Sequence, residues 1–481
     1  MTIRENRAEM HFEVEPGSRA AQVIDDSRVF RILLLGDFSG KEGDARGPLH
    51  QRRPVEVDRD TFDDVLAAMR PTVMVGLDGE EPFPLKVADL DDFRPEAIFH
   101  KNPLFLEMRR LRDQLEDPDR WRAAARDLGS GADVAPASPA TPPPATPAKV
   151  SARDLVSGGS LLDAMMEDAQ SDRPAPALAP SKDPVLEIAR RAVLPYLVSA
   201  PSAQQQELLA RMDEAISAQM RRVLHHPVVR RVESAWRGLF RLIRALDTGA
   251  HLKVSILDLS REELQLDLFG HDDPAHSLLA RVLIADPGKR ADGQGYSVVA
   301  GAYRFGADAD DLRALNRLMK FAKSAGAPFL ADATPSLVGA PAFEGVLNPR
   351  AWTPASEVAG GYWPLVRKQA DAAWLGLVAP RVLSRLPYGR KSDPCDAFPF
   401  EEIAGQPSPD DYLWGSGAVC MAMLLGQAYA EFGWDFKPGA VAELTGLPLH
   451  TYSSHEGTVS TSVAEAWFTE EAMEALSSRG F

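Results

Sequence analysis

Cysteine is nearly absent. Cys395 and Cys420 are the two in 481 residues, which excludes a disulfide framework and a Cys-rich zinc module and fits a reducing compartment. Long hydrophobic runs are absent as well. Stretches such as Ile32–Leu35 are far too short to span a bilayer, so no membrane insertion is expected. The opening MTIRENRAEMHFEVEPGSRA contains no apolar core of the signal-peptide kind, and the expected location is cytoplasmic. Positive charge is in the minority: 53 Lys and Arg stand against 69 Asp and Glu, a formal net charge of −16. An overall basic face, which supplies affinity for nucleic acid or an anionic membrane, is therefore missing, and no nucleic-acid partner is expected. What is present is ordinary for a globular chain, 45% hydrophobic and 25% charged, with length for about three domains.

Proline and alanine mark the one clear boundary. From Gly129 the chain reads GSGADVAPASPATPPPATPAKVSARD. Its prolines remove backbone donors and fix φ, and the stretch buries too little apolar area to offset ordering. Residues 129–183 are read as a Pro/Ala-rich linker carrying a short apolar helix at 160–169. Residues 1–128 then form a small α/β domain and residues 184–481 a larger layered α/β domain.

Within the first segment, HFEVE at His11–Glu15 alternates as a half-exposed strand, and RVFRILLLGDF is a buried one. Val55–Val57 is a short strand. Asp60 is placed as N-cap of the helix TFDDVLAAM. TVMVGL and PLKVADL flank a turn and predict a hairpin. Leu104–Leu128 is helical, with Leu104, Met108, Leu111 and Leu115 on one stripe. After the linker, helices are expected at Pro184–Val198, Ala203–Leu224 and Val228–Leu246. Strands LKVSILDL, YSVVAGAY, PFLADA and LGLV then alternate with helices at Ala309–Ala325, Val366–Ala373 and Tyr412–Phe432, the pattern of a largely parallel sheet.

Chemical motifs are sparse. GDFSGKEG at Gly36–Gly43 follows a strand, but its glycine spacing is one short of a phosphate loop and Glu42 stands where Ser or Thr is required. A glycine-rich turn is the better reading. His225-His226 and His271/His276 lack metal-ligand spacing, so solvated or capping roles are expected. Glu401-Glu402 and Asp410-Asp411 read as neighbours that complement helix dipoles. Cys420 reads as a small core hydrophobe. No catalytic, cofactor-binding or metal residue is assigned. An enzyme would need a cleft in which titratable groups converge, and none is expected. In the island GGSLLDAMMEDAQ, Leu161, Leu162, Met165 and Met166 form an i, i+4 stripe. A helix this short either docks on its own domain or is a groove-binding peptide for a partner.

Two families of blocks are present. HFEVEP, LLLGDFSG, RRPVEVDRDTFDDVLAAMRP, PLKVADLDDFRPEAI and PLFLEMRRLRDQL resemble the small subunit of the type VI secretion contractile sheath (TssB, VipA). ISAQMRRVLHHPVVRRVESAWRGLFRLI, LKVSILDLSREEL, AGAYRFG, AGAPFLADATPSLVG, WLGLVAPRVLSRLPYG, DDYLWGSGA and GLPLHTY resemble the N-terminal and middle parts of the large subunit (TssC, VipB). The resemblance implies a fusion of both sheath subunits, structural and not enzymatic, whose protomers stack around an inner tube. It implies strand exchange with neighbours through His11, Phe12, Glu13, Val14 and Glu15. It also implies recognition of Leu161, Leu162, Met165 and Met166 by an AAA+ recycling ATPase of the ClpV kind. The implied partners are other sheath subunits, the inner tube protein, the baseplate and that ATPase. Large subunits continue past the segment matched by SSRGF into interlocking strands. The expectation is thus a protomer body without the full inter-ring link, with a non-polymerising accessory subunit as the alternative.

Overall fold

Seven consecutive buried residues, Phe30–Gly36, form a strand, as a run apolar on both faces does when a sheet is covered on both sides. In the computed structural model the described residues are 7–11, 28–77, 81–127, 203–285, 295–343, 348–353, 357–454 and 457–480. The first strand, β1, spans Arg7–His11, and the buried run is β2. Then come β3 (Val55–Glu56), α1 (Phe62–Met69), the hairpin β4 (Thr72–Val75) and β5 (Phe83–Lys86), and α2 (Pro95–Lys101). Helices α3 (Leu106–Glu116), α4 (Trp121–Asp127), α5 (Ala203–Leu224) and α6 (Pro227–Ala245) follow. The expected linker, its helix at 160–169 and the helix at 184–198 lie outside the described residues.

The layered part continues with β6 (Leu252–Asp258), α7 (Arg261–Phe269), β7 (Val298–Phe305), α8 (Ala309–Ala325), β8 (Phe329–Ala333), α9 (Glu357–Arg367) and β9 (Leu375–Val378). It ends with the short pair β10 (Val382–Leu383) and β11 (Trp414–Gly415), α10 (Gly417–Phe432), β12 (Glu443–Pro448), the hairpin β13 (Thr451–Ser454) and β14 (Gly457–Ser460), and α11 (Glu470–Ser478).

The main sheet has the order β3-β6-β2-β7-β8-β9. Its five inner-to-far strands from β6 to β9 are parallel, and β3 runs antiparallel at one edge. The fold class is α/β, as the alternation implied. On one face Leu33, Leu35, Leu257, Val299 and Phe329 share a core with Leu312, Leu315 and Leu318 of α8. On the other, α10 lies over β2, β7 and β8.

The described chain divides into two compact units, one of Met1–Leu104 with Ser217–Phe481, the other of Phe105–Ile216. In the second, Leu115, Trp121, Ala124 and Ala125 pack with Leu208, Leu209 and Met212, and Arg112 pairs with Asp213 at 2.7 Å.

Several boundaries differ from expectation. Asp60 is not the N-cap of α1. Thr61 takes that place, and Asp58 builds the turn by accepting from the backbone N–H of Asp60 and Thr61. The stripe from Leu104 to Leu128 is split into α3 and α4, because the chain leaves helical geometry at Asp117 just before Pro118. The helix expected from Tyr412 begins at Gly417, because Ser416 caps it by accepting from Val419 N–H while Trp414–Gly415 is drawn into a strand pair. The helix expected near Val366–Ala373 is α9, which ends at Arg367 before a 3₁₀ turn at Ala370–Trp374.

Candidate assembly site

The turn after β2 is where residues far apart in sequence meet. Asp258, at the end of β6, accepts from the backbone N–H of Phe38 at 2.9 Å and of Ser39 at 3.0 Å. The buried Trp236 of α6 donates from Nε1 to the Phe38 carbonyl at 2.7 Å, and its ring meets those of Phe38 and Phe62 edge-on. Gly40 is required here. Its φ is +63°, and a Cβ would lie 2.7 Å from Val73. GDFSG is thus a glycine turn whose side chains are spent on packing.

Charges complete this joint. Asp37 accepts from Arg46 at 2.6 Å and from Arg231 Nε at 3.0 Å. Arg46 also pairs with Glu263 at 3.0 Å, and Arg52 reaches the same carboxylate at 2.5 Å. Burial alone would lower the Arg46 pKa, but Asp258, Asp37 and Glu263 outweigh it and the pKa is raised. Burial likewise works against the Glu263 carboxylate, yet the bond from Arg52 and the nearby arginine charges hold it below its ordinary range. Elsewhere along the joint Phe30 stacks on Tyr429 at 4.8 Å, Arg94 pairs with Asp393 at 2.9 Å and Phe99 packs on Phe398.

A second node has Glu233, Arg385, Tyr388 and Glu402 buried at its centre. Arg385 donates from Nε to Glu233 at 2.8 Å and through both terminal nitrogens to Glu402 at 2.6 and 2.9 Å. Tyr388 N–H adds a bond to Glu402 at 2.8 Å, Arg237 pairs with Glu233 at 2.7 Å, and His225 Nε2 stands 3.6 Å from Glu402. The Arg385 cation lies over the Tyr388 ring. Burial opposes ionisation of Glu402, but Arg385 and the donors around it hold its pKa at about 2. Burial pushes the Tyr388 hydroxyl up to about 12. Reading Glu401-Glu402 as a dipole complement is therefore corrected for Glu402, which is an internal counter-ion. The available signal was charge inside apolar blocks: ESAWRGL supplies Glu233, Trp236 and Arg237, and RLPYG supplies Arg385 and Tyr388.

The strand expected at His11–Glu15 falls earlier. β1 covers Arg7–His11 and pairs antiparallel with β12, Arg7 opposite Pro448 and His11 opposite Glu443. Of the five predicted residues His11 is in the strand, and Phe12, Glu13, Val14 and Glu15 lie outside the described residues, as do Leu161, Leu162, Met165 and Met166. Leu444 and Leu447 of β12 are buried.

Residues 206–481 match the family described as VipB (EvpB), tail sheath N-terminal domain. The chain belongs to this type VI secretion sheath family. Residues 1–120 match the type VI secretion system VipA family. The chain is also 31% identical over 262 residues to the type VI secretion system sheath protein TssC1 of Pseudomonas aeruginosa, an alignment covering 53% of this chain and 52% of that protein. It thus spans about half the length of the curated relative it matches.

Both matched families are structural, and the VipA-matching part supplies β2, held between β6 and β7 of the VipB-matching part. Sheath proteins of this family assemble with other sheath subunits. Among the described residues no helix is long and apolar enough to cross a membrane. His271 Nδ1 lies 3.1 Å from the Asp267 carbonyl, and Asp273 caps the turn that contains His276. Burial pushes the Cys420 thiol up to about 11. One expectation is overturned: charged groups do converge in a cleft, where Arg230, Arg231, Arg261, Arg304 and Arg381 gather with Asp332. Periodicity could not show it, because these residues come from several separate elements.

Proposed function

We propose that this chain is a protomer of a contractile type VI secretion sheath in which small and large subunits are made as one polypeptide. Its work is mechanical and not enzymatic, and its location is cytoplasmic. The observation that carries this reading is the position of β2: the VipA-matching strand is the shared inner strand of the VipB-matching sheet. Two bodies built this way move as one rigid block, which is what a sheath that contracts by rearranging protomers requires. Covalent linkage raises the effective concentration of each half for the other.

In the assembled state the strand at the N-terminus, including His11 and extending through Phe12, Glu13, Val14 and Glu15, joins a neighbour's sheet. The antiparallel β1–β12 pair within one chain supports this, since the same ladder can form between chains. Inner tube, baseplate and an AAA+ ATPase that engages Leu161, Leu162, Met165 and Met166 are the further partners. Negative-stain imaging of the purified protein, alone and with a tube protein, is expected to show rings or tubes. Monodisperse single protomers in every mixture would overturn the reading.

A further inference from the structure

A cleft of about 450 Å³ opens near the carboxyl ends of β6, β7 and β8. Five arginines line it: Arg230, Arg231, Arg261, Arg304 and Arg381. In a chain with a net charge of −16 this is a local reversal of sign. Small-molecule sites in open α/β sheets lie outside the carboxyl ends of the strands, and the volume falls in the range of such sites.

The guanidinium groups are incompletely matched. Arg381 holds Glu465 through two bonds, at 2.9 and 2.7 Å, and Arg304 reaches the same carboxylate only at 3.4 Å. Arg304 Nε and Arg261 Nε are buried without a hydrogen-bond partner, although Arg261 also pairs with Asp311. Arg230 donates to the main-chain carbonyls of Asp410 and Tyr412 and has no carboxylate within ion-pair distance among the described residues. Burial lowers its pKa, and the like charges of Arg381 and Arg385 add to this against Glu402. Burial and the charge on Arg381 lower Arg304 in the same way. The one buried carboxylate in the wall, Asp332, is engaged by the Ala418 N–H at 2.8 Å. The wall also carries the exposed carboxylates Glu262 and Asp410, and Arg231 is taken by Asp37. What remains unmatched is the Arg230 cation and the buried Nε atoms of Arg304 and Arg261, and planar guanidinium forks suit oxyanions.

We propose that this cleft is a binding site for a small multivalent oxyanion, of the diphosphate or polycarboxylate class, held by Arg230, Arg304 and Arg381. The site is independent of the sheath reading, because binding is measured on the soluble chain whether or not it assembles.

Isothermal titration of the full chain with inorganic pyrophosphate and, separately, with citrate tests it at physiological chloride. Saturable one-to-one binding of at least one probe is expected. The preferred probe distinguishes phosphate from carboxylate chemistry. Arg304→Gln is expected to weaken binding about tenfold by removing a charge-assisted contact. Arg390→Gln, at a side chain 84% exposed on the surface, is expected to leave it unchanged. Circular dichroism checks that the variants fold. If Arg304→Gln does not, Arg304→Lys keeps the charge, loses the fork and is expected to weaken binding as well. No saturable binding of either probe, or equal binding by a folded Arg304 variant, overturns the proposal.

Discussion

Glu402 and Asp332 are both buried carboxylates, and their surroundings drive them in opposite directions. Glu402 titrates at about 2 against an ordinary 4.5, so its contribution is fully present above pH 4.5 and is lost as pH falls toward 2. The shift corresponds to about 3 kcal/mol. Asp332 titrates at about 6 against an ordinary 3.8, because burial outweighs the bonds it accepts. Its native form takes up a proton between pH 6 and 3.8, so that group alone adds stability as pH falls through this window. Asp332→Asn should therefore remove this gain, so that the urea midpoint drops further than in the parent protein between pH 6 and 4. An unaltered profile would show that Asp332 does not titrate there. Glu402→Gln at pH 7 leaves Arg385 with an uncompensated share of buried charge and should cost about 3–5 kcal/mol in urea unfolding. Only charge set inside the apolar blocks ESAWRGL and RLPYG was legible in the sequence; the pairing with Glu402 was not. Glu402 lies 17 residues from Arg385 and far from Glu233, and an ion pair at that separation leaves no periodic trace.

At the scale of elements, local pattern served well where burial dictates it. The apolar run at Ile32–Leu35 announced β2, and the boundaries Ala203–Leu224 and Ala309–Ala325 were readable from the helical stripe. It served poorly where one residue decides an end, as with Thr61 and Ser416, and at the short pairs β10–β11 and β13–β14, which have too few residues to show a period. Helix α10 carries a test of packing. Gly426 faces β2, and a Cβ there would lie 2.9 Å from Leu246 and 3.2 Å from Ile32. Alanine is the better helix former by ~1 kcal/mol, yet overpacking costs about 1–3 kcal/mol. Gly426→Ala should thus lower the urea midpoint, and an increase would mean that α10 can move off the sheet. The apolar stripe Leu161, Leu162, Met165 and Met166 carries a different test. Under the proposed ATPase recognition, Leu162→Asp puts a charge into this stripe and should weaken binding to a ClpV-like ATPase about tenfold or more, measured by fluorescence anisotropy with the full chain. Unchanged affinity would assign that stripe another role.

At the scale of the molecule, the decisive arrangement is a strand from the VipA-matching part enclosed by strands from the VipB-matching part. All seven residues of β2 are buried, and it exchanges backbone bonds with β6 on one side and β7 on the other. A segment of residues 1–128 made alone would expose both edges of its most apolar strand and is expected to aggregate. Made together with a segment of residues 184–481, it should be recovered as a one-to-one complex. A protease site placed within residues 129–150 supplies the cleaner experiment, because the chain folds before it is cut. After complete cleavage the two pieces are expected to co-elute in size-exclusion chromatography, also at 1 M chloride, where ion pairs such as Arg94–Asp393 are screened while the β ladder and the Phe38–Trp236–Phe62 cluster are not. Separation at high salt with co-elution at low salt would mean that charge, and not the shared sheet, joins the halves. Separation at both would remove the mechanical reading, since a protomer that comes apart at its central strand cannot transmit the force of contraction.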